Sequence, residues 1–325
     1  MNAKRANWAF FFMIVSYLGV AILAAWVFPA LTSNIVLSNL MVEIAIFIPI
    51  MIFVLCSKEK ITSFLGFHKM KPGTLLMTGL YTFLTLPVIT LFNVISQFWV
   101  ENEVTEMISG YQVAEMSFLP LWFSMGVVAP VFEEVICRGA VYRSYRRSGS
   151  AFRAMILSAV VFACLHMNFN QAAYAVVMGI LAVLLVEATG SLWSSIIYHG
   201  LINGGNCVLM YIELKMNPEV FSQSEVSLEA LFYVTGAYLM LAALFLPFAF
   251  AVLAWMERHE GREGTLRRIW TERKWTPEPY ENKKGKMKKD KLITVPLVLT
   301  LILCLLVMTG IFFEIIVQII LAVRG

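Results

Sequence analysis

Phe132-Glu133-Glu134-Val135-Ile136-Cys137-Arg138-Gly139-Ala140-Val141-Tyr142 closes an apolar run that begins at Phe118. That run is long enough to cross a bilayer, which takes about 20 apolar residues. Yet it carries two adjacent carboxylates and an arginine, and ionisable groups at membrane depth are unfavourable and usually mark function. Helical spacing sharpens the point. Glu134 and Arg138 are four apart, share a face and are expected to pair. Glu133 lies about 100° round the helix and is left for another role.

Beyond this stretch, the composition agrees with a membrane setting. The 325 residues are 59% hydrophobic and 14% charged, with a mean hydropathy of +0.76, whereas soluble domains are about 25% charged. Nine apolar runs follow one another: 8–31, 35–56, 74–100, 118–141, 154 to about 167, 172–187 after a polar break at Asn168-Phe169-Asn170-Gln171, 192–211, 230–255 and 292–323. The fifth and sixth are short, which is tolerated where a helix packs on protein or lines a cavity. The expectation is an all-α polytopic bundle of about eight to nine transmembrane helices, read straight from these runs. Lys4 and Arg5 precede the first run, which is too long for a cleaved signal segment and reads as a retained span. Cys56, Cys137, Cys164, Cys207 and Cys304 form no C-x-x-C pair. They read as small buried hydrophobes rather than a disulfide framework.

Charge placement orients the bundle. With the N-terminus inside, the inner segments hold 22 of the 25 Lys and Arg, Lys215 and Arg324 lie outside, and Arg138 is within a span. Such asymmetry predicts a cytoplasmic N-terminus and an outer C-terminus. The polar segment 257–291 carries twelve Lys and Arg, with Trp270 and Trp275 among them. It reads first as a solvated basic loop that sets topology, and second as an interfacial segment on anionic lipid. No nucleic-acid motif accompanies it. Three parts are expected: N-terminal helices over 1–117, a catalytic core over 118–211, and C-terminal helices over 212–325 with the basic loop.

Two later segments carry polar groups at depth. Phe162 and His166 share a face of the fifth run, and His199 and Asn203 share a face of the seventh. At a rise of about 1.5 Å per residue, Glu134 and His199 lie about 10 Å, and His166 about 18 Å, from the cytoplasmic ends of their runs. The three helices can therefore converge in the cytoplasmic half of the membrane. Glu43 in the second run and Glu314 in the ninth are isolated and read as lining a cavity or facing another helix. Glu187 reads as a membrane-edge residue.

Glu, His and Asn in one place suit several chemistries. A catalytic zinc would take Glu133, His166 and His199 as ligands and leave a position for water. The second carboxylate would accept the water proton, Arg138 would hold a Glu ionised, and Asn203 with one His would stabilise an oxyanion. In a metal-free version a Glu and His166 activate water directly. The same residues suit a proton or cation path, and Glu134–Arg138 alone suits a structural brace. On residue types, hydrolase and transporter are level.

The order of the motifs separates them. E-E-x-x-x-R at Glu133, Glu134 and Arg138, F-x-x-x-H at Phe162 and His166, and H-x-x-x-N at His199 and Asn203 together resemble the CPBP family of intramembrane proteases. That family includes CAAX prenyl endopeptidases, abortive-infection proteins and bacteriocin-immunity proteins. Thr189-Gly190-Ser191-Leu192-Trp193 resembles the family block before its third motif, and the likeness covers about 118–206. The resemblance implies an intramembrane endopeptidase, usually described as a metalloprotease although a glutamate mechanism without metal has also been argued. It implies that Glu133 and His166 activate water, that His199 and Asn203 polarise the carbonyl, and that Glu134 and Arg138 support them. The implied partners are a membrane-associated protein or peptide and the bilayer, with no nucleic acid. The implied location is an integral, multi-pass membrane protein, in the plasma membrane if the source is bacterial. A peptide-binding immunity protein and a proton- or cation-coupled transporter are the alternatives.

Overall fold

The computed structural model describes residues 1–28, 33–100, 102, 113, 116–148, 150–216, 227–271 and 291–324. Among them the secondary structure is helical throughout, as the apolar runs require, because a backbone in lipid must satisfy its hydrogen bonds internally. The helices are α1 (Ala3–Val27), α2 (Ile35–Leu55), α3 (Ile61–Leu65), α4 (Pro72–Ser96), α5 (Phe118–Arg147), α6 (Ala151–Leu165), α7 (Phe169–Thr189), α8 (Leu192–Met216), α9 (Leu228–His259), α10 (Thr265–Thr271), α11 (Val295–Met308) and α12 (Ile311–Arg324). Local signals start and stop them. Asn34 caps α2 by accepting from Val36 N and Leu37 N, and Asn168 caps α7 by accepting from Gln171 N at 2.7 Å. Gly190 ends α7 in the left-handed region at φ 73°.

The span count differs from the sequence expectation. Among the described residues, six helices are long and apolar enough to cross a membrane, or up to seven if the bent α11–α12 pair is one span. The expected fifth span is α6, of only 15 residues, and the expected seventh is α8, which is 25 residues long but falls outside the apolar set. These are the helices that bring His166 and His199. The expected ninth span bends by 83° between Met308 and Ile311. The basic segment is also partly folded: α9 continues to His259, and α10 packs on α6 and α7. The remainder of that segment, with Trp275, lies outside the described residues, as do the acidic residues Glu101, Glu103, Glu106 and Glu115.

Burial sorts the helices into an inner and an outer set. The apolar stretch of α7 is 67% buried, against 28% in α1 and 22% in α9. Phe232, Tyr233, Met240, Leu244 and Phe248 of α9 are exposed, the face lipid would cover. The core lies where α5 meets α6 and α8, with α7 behind α6, and α2, only 28% buried like α1, closes it on the other side of α5. The chain is an integral membrane protein with its polar core in this inner set.

The helix α5 is not α-helical throughout. Ser124–Val128 and Val135–Tyr142 are π-helical, flanking an α-helical turn over Ala129–Glu134. Pro130 supplies a local reason for the first: it has no N–H to give the carbonyl of Gly126, and its ring crowds that carbonyl. Wide turns of this kind recur at functional sites. The wide turn lies against α8 through glycines. A Cβ on Gly126 would fall 2.9 Å from Cα of Gly204, and one on Gly200 would fall 3.0 Å from the Gly126 carbonyl oxygen. Gly200 and Gly204 are four apart and each follows a site residue, His199 and Asn203. Close backbone approach by small residues is how membrane helices gain packing. Gly126→Ala has to push α8 away, and a loss of about 1–3 kcal/mol is expected from such overpacking. Thermal unfolding in detergent checks this. Gly205→Ala, at a position with open space around it, is the control expected to leave the melting temperature unchanged.

Candidate active site

The inner helices bring most of the predicted residues to one place. Glu134 and Arg138 pair as their spacing predicted, with Arg138 Nη1 2.6 Å from Glu134 Oε1. The pair spans the junction between the α turn and the second π turn. From α8, His199 Nδ1 reaches the same oxygen at 3.0 Å. A carboxylate only accepts, so Nδ1–H donates and Nε2 is left for other work. All three side chains are inaccessible, at 0%, 1% and 2% exposure. A charge triad this deep survives only when its members neutralise and hydrogen-bond one another. Glu134 Oε2 and Arg138 Nη2 nevertheless have no hydrogen-bond partner among the described residues.

Phe162, fully buried on α6, is the hub of the cluster. The Arg138 guanidinium stands 4.2 Å over its ring. Its edge-to-face contacts put His166 at 5.0 Å and His199 at 5.6 Å between ring centroids. The cation–π contact supplies Arg138 with a second stabilising neighbour where water is absent. The motif spacing Phe162 to His166 is thus a packing requirement as well as a chemical one.

His166 owes its place to a helix break. It follows α6 as its C-cap, and Met167 turns the chain at φ 55° before Asn168 starts α7. A left-handed methionine is uncommon, and such backbone is held only by its surroundings. Here Asn168 Nδ2 donates to the His166 carbonyl at 3.2 Å while its Oδ1 caps α7. The His166 Nδ1–H donates to the Phe162 carbonyl at 3.0 Å, so Nε2 is the ring's acceptor nitrogen. His166 is half-buried, the more open of the two histidines.

Glu133 leaves the triad, as expected for a residue turned away from Arg138. It is an electrostatic neighbour of His166 and of Tyr174 on α7. Glu43 of α2 is a further electrostatic neighbour. Asn203, one turn beyond His199, is half-buried and makes no side-chain hydrogen bond among the described residues. The depth arithmetic does not carry over, because α5 runs six residues past Val141 to Arg147; contact, not depth, shows the convergence.

Of the three residues expected to take a zinc, His199 turns Nδ1 to Glu134 and keeps Nε2 clear of it, and His166 has both Glu133 and His199 as electrostatic neighbours. Among the described residues no group of three or more His, Cys, Asp or Glu is arranged to hold a metal ion.

A scan of family models matches residues 115–205 to "Rce1-like: Type II CAAX prenyl endopeptidase Rce1-like". The segment is similar to that family. It comprises α5, α6, α7 and the first half of α8, and contains every motif residue from Glu133 to Asn203. The resemblance to CAAX proteases read from the motifs is the one this match supports. No curated protein and no solved structure matches the chain. The matched segment excludes α1–α4, so Glu43 reaches its core from outside it. Sequence reasoning left Glu43 as an isolated charge. A signal was present: Asn39, Glu43 and Phe47 recur every four residues on one face of an otherwise apolar run.

Proposed function

We propose that the chain is a CAAX-type intramembrane endopeptidase that hydrolyses a peptide bond of a membrane-associated protein or peptide with water activated by Glu133 and His166. The observation that carries the reading is the Rce1-like match, which spans all three motifs in order. The geometry supports a division of labour. His166 Nε2 and the Glu133 carboxyl are the groups free of the Glu134–Arg138 pair. Water held between them gives a proton to Glu133 as its oxygen adds to the carbonyl carbon. Asn203 stabilises the oxyanion by donating Nδ2–H, and Glu134 holds His199 in the ring orientation that aims its Nε2 at the same place, where it donates once the ring carries a proton on both nitrogens. The C–N bond then breaks, the proton goes to the leaving amine, and a carboxylate and an amine result. Arg138 braces Glu134 from the other side, with Nη1 2.6 Å from Oε1.

The topology belongs to the same reading. His68, Arg143, Arg146, Arg147 and Arg262 line one cavity of about 170 Å³, at the end where α5 and α7 finish. Positive charge gathered at one end of the bundle supports that end, and with it the N-terminus, being cytoplasmic. Cleavage would then occur near the cytoplasmic face, where a lipid-anchored C-terminal C-a-a-X segment is presented.

The test is cleavage of a farnesylated C-a-a-X peptide by the purified protein in detergent, with and without prior chelation. Cleavage that survives chelation is the expected result for the glutamate route. Loss on chelation with recovery on added zinc would support the metal route. Absence of cleavage, with substrate still bound, would favour a peptide-binding immunity protein.

A further inference from the structure

Arg143, Arg146 and Arg147 close α5. Their i, i+3, i+4 spacing puts them on one face of the helix, where like charges repel. All three line the cavity of about 170 Å³, and His68 and Arg262 join them from two other segments. The lining thus holds four guanidiniums and one carboxylate, that of Glu187. Glu187 Oε1 accepts from the Tyr142 hydroxyl at 2.7 Å and lies 3.9 Å from Arg146 Nε. Arg147 turns to Glu59 at 2.6 Å.

Two of the arginines are seated on bare backbone. Gly66 ends α3 and Gly190 ends α7, both in the left-handed region at φ 85° and 73°. A Cβ on Gly66 would fall 1.9 Å from Arg143 Nη2, and one on Gly190 2.8 Å from Arg262 Nη1. Another residue at either place would strain the cap and push the guanidinium off it. The two glycine turns are tied together: Leu192 N donates to the Gly66 carbonyl at 2.8 Å, and Ser191 Oγ donates to the His68 carbonyl. Arg262 Nε donates to the Glu187 carbonyl at 3.0 Å, which joins the α9–α10 turn to the end of α7. Four segments fastened to one another therefore build the cationic wall.

The height of the cavity indicates what it meets. Both α5 and α7 are long and apolar enough to span a membrane, and both finish at it. Trp193, 45% exposed, stands against Phe67 beside the tied turns, with ring centroids 5.1 Å apart. Exposed tryptophan is enriched where the bilayer meets water, which is the level of the lipid head groups on either side of the membrane. Charge that only sets topology needs no enclosure, yet the Arg146 side chain is 11% exposed. Gathering guanidiniums out of water is unfavourable unless an anion joins them. The arginine fork matches phosphate oxygens two at a time, and basic pockets between membrane helices suit anionic head groups. The volume is several times the share of one water, about 30 Å³, and gives room for a phosphate group.

We infer that this cavity is a binding site for the phosphate of an anionic membrane lipid, with Arg143, Arg146 and Arg262 as the side chains that hold it. The site is separate from the candidate active site, since Tyr142 lies about two turns beyond Glu134 on α5. A lipid held there ties the ends of α3, α5, α7 and α9 together, so the stability of the fold depends on the lipid supplied.

The full chain in a neutral detergent is titrated with dihexanoyl phosphatidic acid, and binding is read by native mass spectrometry and by the melting temperature, which a ligand of the folded state raises. Wild type is expected to bind phosphatidic acid, and to bind dihexanoyl phosphatidylcholine, whose phosphate carries its own cation, more weakly. Arg143→Gln is expected to weaken phosphatidic acid binding roughly 10- to 100-fold, the loss of a hydrogen bond to a charged group. Arg267→Gln makes the same charge change at an exposed position on α10 outside the cavity and is expected to bind as wild type does. Arg143→Lys keeps the charge and loses the fork, so its affinity is expected to fall between those of wild type and Arg143→Gln; it carries the test if Arg143→Gln does not fold. Unchanged binding in the Arg143 variants, or equal losses in Arg143→Gln and Arg267→Gln, would overturn the site, as would absence of binding in wild type. Inorganic phosphate that binds as tightly as phosphatidic acid would assign the cavity to a soluble phosphate and overturn the lipid.

Discussion

Glu133→Gln and His166→Ala are each expected to reduce kcat on a prenylated peptide by about 10²–10⁴-fold, the range that a positioned acid–base group contributes. The two substitutions remove different things. Gln keeps the shape of Glu133 but cannot take a proton from water. Ala at position 166 removes the acceptor Nε2 and leaves the break between α6 and α7 to Met167 and Asn168, whose own contacts run through the His166 backbone carbonyl. Both variants are therefore expected to fold. If the two groups act on one water molecule, their losses will not add, and the double variant will be little slower than the worse single one. Full activity in either single variant would overturn the assignment of the water site. Additive losses would place the two groups in separate steps.

The second large effect is on stability. Glu134→Ala removes the group that satisfies both Arg138 and His199, and leaves a guanidinium that is 1% exposed without its carboxylate. Breaking a buried pair from one side typically destabilises by about 3–5 kcal/mol. Phe162 remains over the guanidinium, yet a cation–π contact is worth only about 2 kcal/mol when desolvated. Thermal unfolding in detergent should show a marked drop for Glu134→Ala and for Arg138→Ala. Replacing both together, as Glu134→Leu with Arg138→Met, is expected to recover much of the loss, because apolar groups of similar size need no partner. It should not recover hydrolysis, since His199 then lacks the acceptor that orients it. A double variant as unstable as the single ones would mean that the triad contributes net stability rather than orientation.

Neighbouring residues thus do different things. Glu133 and Glu134 are adjacent, but the helix turns them to different partners, so one change is expected to act on rate and the other on folding. A structural brace at Glu134–Arg138 and the proposed hydrolytic site at Glu133–His166 are not competing readings. They are two sides of one helix.

Much of this was legible in the residues themselves. Charge in a long apolar run announced the site, and i to i+4 spacing foretold the Glu134–Arg138 pair, because both are properties of a single helix. Membrane insertion and an all-α fold followed from hydropathy, because lipid leaves the backbone no alternative among apolar helices. The span count did not follow as well. The helices α6 and α8 answer to protein neighbours rather than to lipid, so length and hydropathy underdescribe them. The ninth run hides an 83° bend at Thr309–Gly310, where apolar composition continues across a change of direction.

Which helices meet, and at what height, came from packing in three dimensions. Nothing in the local sequence around Glu43 says that α2 runs beside α5, or that Asn39–Ser124 and Phe47–Phe132 contacts bracket it. Nor does it say that Gly126 admits α8 closely enough for His199 to reach Glu134. Periodicity along one helix specifies a face, since the backbone repeats every 3.6 residues. The partner of that face is chosen by packing between segments distant in the chain, where steric fit and the need to neutralise buried charge act together. The string of residues was enough to define a membrane helix with a charged stretch from Phe132 to Tyr142. Folding then gave its first glutamate Glu43 on one side, and its second Arg138 and His199 on the other.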